Sequence, residues 1–182
     1  MKDGAPEPWE FRVKTGTTNA RIVTDDDVIV LYMLADNSSF SLNRKVDIDA
    51  GALPHLSWKW QVDRLPHGKS KDEEKDQSLQ LFLFFKGGET LNYNWETNRP
   101  VGAVFAERIP FFANIKTLVL ESGTAKLGTW VKETRDVASD YKHHFGKDSV
   151  PRLEGIRIQS NSQYTGTTGS GYMAPLVFSD KE

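Results

Sequence analysis

The sequence predicts an all-β protein: a two-sheet antiparallel β-sandwich of jelly-roll type with one short helix near 139–145. Three observations favour this fold. About ten short segments alternate apolar and polar residues, which is the period of a half-buried strand. Turn-forming residues separate these segments, and helical periodicity is rare. We expect one domain over 1–182, with its core between 8 and 180, because 182 residues fit a single sandwich.

The N-terminal part of the chain is predicted to supply five strand segments. Most of them alternate, whereas the third is apolar on both faces and is therefore expected to be a central strand. The aspartates at 25–27 are expected to form a turn between the second and third segments. The five segments are Trp9–Val13, Ala20–Thr24, Val28–Leu34, Ser39–Asn43 and Val46–Ile48.

The middle of the chain has the clearest pattern. Strand geometry divides Leu56–Val62 into a tryptophan-bearing face and a polar face. The charged segment Lys69–Asp76 contains no apolar residue and is predicted to be a solvated loop. Leu79–Phe85 ends at a glycine pair typical of a hairpin, and Leu91–Glu96 returns with strict alternation. We expect these last two strands to be antiparallel neighbours.

The C-terminal part combines further strands with the single helix. The helix covers Asp140–Phe145, with Ser139 as its expected N-cap and Gly146 at the left-handed position that ends it. The segment Ser160–Gly171 is rich in Ser, Thr, Gly and Asn and is predicted to be a long loop. The strands are Ile115–Glu121, Thr129–Val137, Ile156–Ile158 and Tyr172–Phe178, the last with an edge or bulge at Pro175.

Composition excludes several classes of function. The absence of cysteine rules out thiol nucleophiles and thiolate metal sites. A net charge of −2 provides no broad basic field, so no nucleic-acid partner is expected. No apolar run approaches the ~20 residues of a membrane span. The sequence does not indicate the localisation, which is periplasmic or secreted if an export signal has been removed. It does not indicate the oligomeric state either.

Five segments occur in an order that resembles a known family. They are similar to segments of the bacterial domain of unknown function 3047, from about Trp9 onward. The resemblance implies a β-sandwich similar to galactose-binding-like and other carbohydrate-binding modules, in proteins that are often exported, and it supplies no established activity. The five segments are Leu56–Val62, Leu91–Trp95, Leu118–Gly123, Trp130–Val137 and Asp140–Gly146.

The chain departs from that family just before its last strand. Family members carry an acidic segment there, close to Thr-Asp-Ser-Asp-Asn-Thr. This chain has Gln-Ser-Asn-Ser-Gln-Tyr-Thr at 159–165 instead. Any role of those aspartates in binding a cation or a ligand is therefore not carried over.

Six polar residues form the predicted ligand-binding face. Parity places two of them opposite the tryptophans of their strand, and a hairpin in register would bring the other four to the same side. Amides and charges bind sugar hydroxyls, while the rings of Phe82 and Phe84 would cover the apolar face of a sugar. The alternative is that both rings pack beneath loops or the helix and that the polar residues are a hydrated sheet surface. The six residues are Lys59, Gln61, Gln80, Asn92, Asn94 and Glu96.

The larger aromatic residues have a different expected role. Trp58, Trp60, Tyr93 and Trp95 alternate with polar residues, so we expect them in the core rather than in a stacking platform. Trp130 precedes a polar face and is interpreted as an aromatic residue at a rim.

No catalytic residue and no metal ligand is assigned from the sequence. Glu96 and Glu133 would be a glycosidase-like pair if the fold brought them within ~5–9.5 Å. Asp140 and His144, four residues apart on the helix, are a weaker acid/base or metal pair, because a histidine at a helix end also interacts with the dipole. We expect Arg135 and Asp140, with Glu133, to form an ion pair that docks the helix on the sheet.

No cofactor is expected. The one cation that the sequence suggests is a structural Ca²⁺, which takes about six to eight oxygen ligands. The aspartates at 25–27, with Asp47 and Asp49, would supply them, but turn formation is the simpler explanation of these residues and no EF-hand pattern is present.

Three functional hypotheses follow. The first is a non-catalytic carbohydrate-binding-like module whose partner is an oligo- or polysaccharide. The second is a glycan-active hydrolase or lyase with paired carboxylates. The third is a structural or protein-interaction domain of the cell envelope.

Overall fold

The computed structural model describes residues 8–25, 28–68, 70–109 and 113–181. Within these ranges the chain forms eleven strands and two helices. The strands are β1 (Glu10–Asp25), β2 (Val28–Ile48), β3 (His55–Arg64), β4 (Leu79–Phe85), β5 (Glu89–Glu96), β6 (Val104–Ile109), β7 (Ala113–Ser122), β8 (Val131–Asp136), β9 (Leu153–Asn161), β10 (Thr168–Met173) and β11 (Val177–Ser179). The helices are α1 (Ser70–Glu73) and α2 (Val137–Phe145). No helix in the described part of the chain is long and apolar enough to cross a membrane.

All eleven strands belong to one mixed sheet, so the prediction of two separate antiparallel sheets is corrected. The main path runs β11-β3-β10-β2-β9-β4-β5-β7-β6, with β1 on β2 and β8 on β3. Every pair is antiparallel except β5 and β7, which are parallel. The exception arises because β6 pairs with the far edge of β7, so the chain passes over one strand position after β5. The prediction that β4 and β5 are antiparallel neighbours is confirmed.

The two long strands carry the sheet around a bend and fold it into two layers. β2 pairs with β10 through residues 31–36 and with β9 through residues 39–48. Asn37 has a positive φ of 44° at the change of partner. β1 follows the same bend, where a Cβ on Gly16 would collide with the Asn37 carbonyl oxygen, so glycine is required. Several short segments predicted separately are therefore continuous in β1 and β2.

The two layers enclose the core. The front layer contains β9, β4, β5, β7 and β6 with the second half of β2, and the back layer contains β10, β3, β8 and β11 with its first half. The prediction that Trp58, Trp60, Tyr93 and Trp95 lie in the core is confirmed, since each is at most 3% exposed. Ring centroids of Trp58 and Tyr93 lie 5.6 Å apart, and those of Trp60 and Trp95 lie 5.9 Å apart. Because β3 and β5 share no backbone hydrogen bond, these contacts join the layers.

The predicted helix is confirmed near 139–145, but its start and cap differ. Asp136, not Ser139, caps it, accepting a hydrogen bond from the Ser139 backbone nitrogen at 2.8 Å. This cap starts the helix at Val137 and ends β8 early, so the predicted strand Thr129–Val137 is shorter than expected. Gly146 ends the helix in the left-handed conformation with φ 64°, as predicted.

The helix is docked by an ion pair at its first turn. Arg135 donates to both Asp140 oxygens at 2.9 and 2.5 Å, and the Tyr93 hydroxyl donates to the same carboxylate at 2.8 Å. Glu133 is not part of this group, because it accepts the Trp60 indole N–H at 3.1 Å.

From Ser70 to Asp76 the charged segment is not a solvated loop, which corrects that prediction; Lys69 lies outside the described residues. It contains α1, and the side chains of Glu73 and Asp76 are buried. Asp76 accepts hydrogen bonds from the backbone nitrogens of Tyr164 and Thr165 at 2.9 and 2.7 Å. Three or more donors can keep a carboxylate buried, so the absence of apolar residues does not imply exposure.

The predicted loop Ser160–Gly171 is also partly strand. β9 extends into its beginning and β10 occupies its end, pairing with both β2 and β3. A Cβ on Gly171 would lie 2.5 Å from the Gln61 carbonyl oxygen, so the small residues that suggested a loop permit close strand packing. The predicted final strand is divided around Pro175 into β10 and β11.

A candidate ligand-binding groove

A groove of about 820 Å³ lies on the outer face of the front layer. The strand register sets its floor, because residues opposite each other on neighbouring strands point to the same face. One row of paired residues crosses β2, β9, β4 and β5 and is entirely polar. That row is Ser41, Gln159, Gln80 and Asn94. The next row, in the same strand order, is Asn43, Arg157, Phe82 and Asn92.

Amide side chains on the floor form one connected hydrogen-bond network. The Asn92 amide nitrogen donates to Thr117 at 3.2 Å and to Gln80 at 3.5 Å. The Gln80 amide nitrogen donates to the Asn161 oxygen at 2.6 Å. Asn161 in turn donates to the Asp76 carboxylate at 2.8 Å. Each amide is thereby fixed in orientation, which is what recognition of a ligand with many hydroxyl groups requires.

Asp76 is the anchor at one end of this network. It is fully buried, and burial raises the pKa of its carboxyl above the ordinary value, although the donors from Thr165, Tyr164 and Asn161 oppose this effect. The contact fixes the turn after β9, whose Tyr164 and Gln163 line the end of the groove. The position of the groove wall therefore depends on a residue that the sequence pattern assigned to a solvated loop.

Several buried oxygens on this face accept no hydrogen bond within the described part of the chain. In Asn92 and Asn94 the amide nitrogen already donates a hydrogen bond, and in Glu96 the other carboxylate oxygen already accepts one. A buried acceptor without a partner is unfavourable by about 1–3 kcal/mol, so each of these oxygens lowers the stability of the free protein. They are Asn92 Oδ1, Asn94 Oδ1, Glu96 Oε2 and Gln163 Oε1.

The predicted ligand-binding residues separate into two groups. Gln80, Asn92 and Asn94 line the groove together. Lys59 and Gln61 lie on the outer face of β3 in the back layer, on the other side of the core, so the expectation that all six share one face is corrected. The reason is that β3 pairs with β10, β11 and β8 rather than with β4.

Glu96, the sixth predicted residue, lies beside the floor and is fully buried. Its Oε1 accepts from Asn94 at 3.1 Å and from Gln77 at 3.4 Å, and Arg99 lies 3.8 Å away. Burial raises the pKa of its carboxyl, while the hydrogen bond from Asn94 and the charge of Arg99 partly oppose this shift. Its contacts make it a support for Asn94.

The candidate carboxylate pair of Glu96 and Glu133 is divided by the front layer. Glu96 faces the groove side of β5, since it bonds to Asn94 two residues earlier on the same face. Glu133 bonds to Trp60 in the core, on the opposite side of that layer. The backbone of β5 and the core aromatics therefore lie between the two carboxylates, and the arrangement does not match a glycosidase pair.

The remaining candidates lie away from the groove. Asp140 is engaged by Arg135, and Asp47 and Asp49 both face Arg152. Trp130 is half-buried and donates its indole N–H to Asp25 at 2.7 Å. Residues 26 and 27 lie outside the described residues. Within the described ranges there is no group of three or more His, Asp or Glu side chains placed to hold a metal ion.

Sequence reasoning missed several residues of the floor. Arg157, Gln159 and Asn161 line the groove from alternate positions of β9. A signal was present, because polar residues alternate with Ile156 and Ile158 as in the other strands. At the C-terminal end the alternation is hard to recognise, because Ser160 begins a stretch rich in Ser, Thr, Gly and Asn that is typical of a loop.

Comparison with known proteins identifies the family. Residues 7–177 match the family described as "Protein of unknown function (DUF3047)". The chain belongs to this family. The five segments that suggested it all lie within the matched residues, and the resemblance is thus confirmed. No curated protein is detectably similar to this DUF3047 chain in sequence.

Solved structures with the same fold include three glucan-degrading proteins. The xyloglucanase domain of NopAA, a type three effector from Sinorhizobium fredii in complex with cellobiose, aligns with a TM-score of 0.58 at 11% identity, over 95% of this chain and 93% of that chain. Endo-1,4-β-glucanase CelB2 aligns with a TM-score of 0.54 at 10% identity, over 94% and 93%. Endoglucanase Cel12A from Rhodothermus marinus aligns with a TM-score of 0.53 at 11% identity, over 93% and 91%. At these identities the likeness establishes the fold alone.

Proposed function

We propose that this DUF3047 domain binds a polysaccharide chain in the groove of its front layer without cleaving it. The carrying observation is the groove floor, where amide side chains are held in fixed orientations by their hydrogen bonds. Planar amides offer both donors and acceptors, and a sugar hydroxyl is itself both. A polysaccharide presents such hydroxyls at regular intervals.

The shape of the groove supports an extended ligand. The polar row from Ser41 to Asn94 crosses four neighbouring strands. At ~4.8 Å between strands, it spans roughly 14 Å, longer than one sugar ring. The cavity volume falls in the range typical of ligand sites, at roughly 300–1,000 Å³. The jelly-roll fold shared with three glucan-degrading proteins, one of them solved with cellobiose, fits a ligand of this class.

The distribution of carboxylates favours binding over cleavage. Among the described residues that line the groove, the carboxylates are Glu74, exposed on the turn after α1, and Glu107, on the edge strand β6. The strands that form the centre of the floor present amides, a phenylalanine and an arginine instead. Hydrolysis with two carboxylates requires both beside the scissile bond, and this floor does not provide them.

The test is a binding screen against soluble neutral and acidic polysaccharides, followed by calorimetry on matched variants. We expect Asn94→Ala and Gln159→Ala each to weaken binding by about tenfold, the effect of losing one or two hydrogen bonds to a buried ligand group. Lys59→Ala and Gln61→Ala remove polar side chains from the opposite layer and should leave affinity unchanged. Failure of every polysaccharide to bind, or equal losses in both pairs of variants, would overturn the proposal and favour a protein-interaction role.

A glycan-cleaving enzyme is the second candidate, and Glu96 is the observation in its favour. Its raised pKa would keep the carboxyl protonated to a higher pH, as a general acid requires. Release of reducing ends from any polysaccharide that binds, abolished by Glu96→Gln, would establish this candidate. We expect no release.

A further inference from the structure

Cations dominate the charged residues of the groove. Five lysines and arginines line it against two glutamates, although the whole chain carries a net charge of −2. They come from β1, from β9 and from two loops at the end of the groove, so the excess is not the product of one basic segment. These residues are Arg12, Lys14, Lys75, Arg99 and Arg157.

Arg157 is the cation on the floor itself. Its side chain is half-buried on β9, and its Nε donates to the Asn43 side-chain oxygen at 2.7 Å. The guanidinium carbon lies 5.0 Å from the ring centroid of Phe84 and 5.7 Å from that of Phe82. Burial lowers the pKa of this guanidinium, and the nearby charge of Arg12 lowers it further.

This environment leaves the arginine suited to an anion. The described part of the chain places no carboxylate within ion-pairing distance of Arg157, and the neutral Asn43 engages only its Nε. Removing a cation partly from water costs free energy when no opposite charge lies beside it, and an anionic ligand group would offset that cost. The two Nη nitrogens match the spacing of two carboxylate oxygens.

Three aromatic rings of the groove lie beside cations. The Arg99 guanidinium lies 4.1 Å from the ring centroid of Phe105, and the Lys75 ammonium lies 5.2 Å from that of Tyr164. Phe82 lies beside the floor arginine. Neutral sugars pack their apolar faces on open aromatic rings, whereas here the groups presented beside the rings are positively charged.

We infer that the ligand is an acidic polysaccharide whose sugar rings carry carboxylates, and that Arg157 binds one of these carboxylates on the groove floor. The inference rests on the proposed function, because it names the class of polysaccharide for the same groove. Lys14 on β1 would lie along the same chain of carboxylates, beside Arg12, whose guanidinium pairs with Glu10. The amide floor would then bind the hydroxyls between them.

The experiment compares oligouronates with their own neutral forms. Hexamers of galacturonate, mannuronate, guluronate and glucuronate are titrated calorimetrically, each beside the same oligomer with its carboxyls reduced to alcohols. We expect at least one oligouronate to bind about tenfold or more tightly than its reduced form, with an affinity that falls as salt is added. Arg157→Gln should abolish that preference, and Arg157→Lys should retain part of it, since lysine keeps the charge without the fork.

Two further variants guard against indirect effects. Lys14 is exposed, so Lys14→Gln removes a groove charge without disturbing the fold and should weaken oligouronate binding several-fold. Arg152→Gln removes an equal charge from outside the groove, where the side chain pairs with Asp47, and should have no effect.

The two proposals fail in distinguishable ways. Equal affinity for an oligouronate and its reduced form would overturn the acidic preference and leave polysaccharide binding in place. The acidic preference would also be overturned if Arg152→Gln weakened binding as much as Arg157→Gln. If neither acidic nor neutral oligomers bound, both proposals would be overturned.

Discussion

Asn161→Ala should destabilise the protein strongly, because Asn161 connects the amide floor to its anchor. Its side-chain oxygen accepts from Gln80 at 2.6 Å, and its nitrogen donates to Asp76 at 2.8 Å and to the Lys75 carbonyl at 2.7 Å. Truncation leaves the Gln80 nitrogen and one Asp76 oxygen, both in buried side chains, without these partners. At about 1–3 kcal/mol for each stranded group, we expect a loss of about 2–6 kcal/mol in the free energy of unfolding.

Urea unfolding followed by tryptophan fluorescence measures this loss, with the m-value as a check that the unfolding transition is unchanged. Gln163→Ala is the matched control. Gln163 is a neighbouring amide whose Oε1 accepts no hydrogen bond in the described ranges, so its removal strands no partner and should not lower the free energy of unfolding. A loss below about 1 kcal/mol for Asn161→Ala, or equal losses in the two variants, would refute the connected network.

Three other predictions concern the supports of the groove and the core. The melting temperature of Glu96→Gln should equal that of the wild type near pH 4 and exceed it near pH 7. The reason is that the folded-state pKa of Glu96 is raised above 4.5, so the stability that this carboxyl contributes falls as the pH rises above 4.5. A constant difference in melting temperature between the two proteins at every pH would contradict this. Arg135→Met should lower the free energy of unfolding by about 3 kcal/mol by leaving the Asp140 carboxylate without its cation, and adding Asp140→Asn should restore part of the loss in denaturant titrations. Gly171→Ala should lower the free energy of unfolding by about 1–3 kcal/mol, because the added Cβ would lie 2.5 Å from the Gln61 carbonyl oxygen. Gly155→Ala, whose Cβ has its nearest contact at 3.4 Å, should have a smaller effect. Similar denaturation midpoints for the two variants would contradict the close packing.

The core was predictable because its signal is local. Alternation in β3 and β5 places Trp58, Trp60, Tyr93 and Trp95 on one face of their strands, and a sandwich buries such a face whatever its neighbours. The helix was predictable for the same reason, since Gly146, which ends it, and the aromatic pair Tyr141 and Phe145 lie within one short segment. The cap is not predictable from the local sequence, because Asp136 and Ser139 are both competent cap residues and the end of β8 decides between them.

The site was only partly predictable because it depends on which strands are neighbours. Parity correctly gives the face of Gln80, Asn92 and Asn94 relative to the core, but not the strand that lies beside them. The partner is β9, about 80 residues later in the chain. The prediction that Lys59 shares this face depends on an assumed register of the hairpin that follows β3, whereas the bend in β2 places β3 in the back layer.

Burial of charge was the other property that local patterns did not reveal. Asp76 lies in a segment without apolar residues, and its burial follows from backbone donors of Tyr164 and Thr165. These donors become available only when the turn after β9 folds back over the segment. Composition therefore indicated a solvated loop where the folded chain has a buried anchor.

Nuclear magnetic resonance of the side-chain amides tests the central claim most directly, because the proposed contacts are made by those groups. Titration with a polysaccharide fragment that binds should shift the NH₂ signals of Gln80, Asn92 and Asn94 on the groove floor and leave that of Gln61, on the back layer, unchanged. Binding that shifts the Gln61 signal while the three groove amides stay in place would contradict the account.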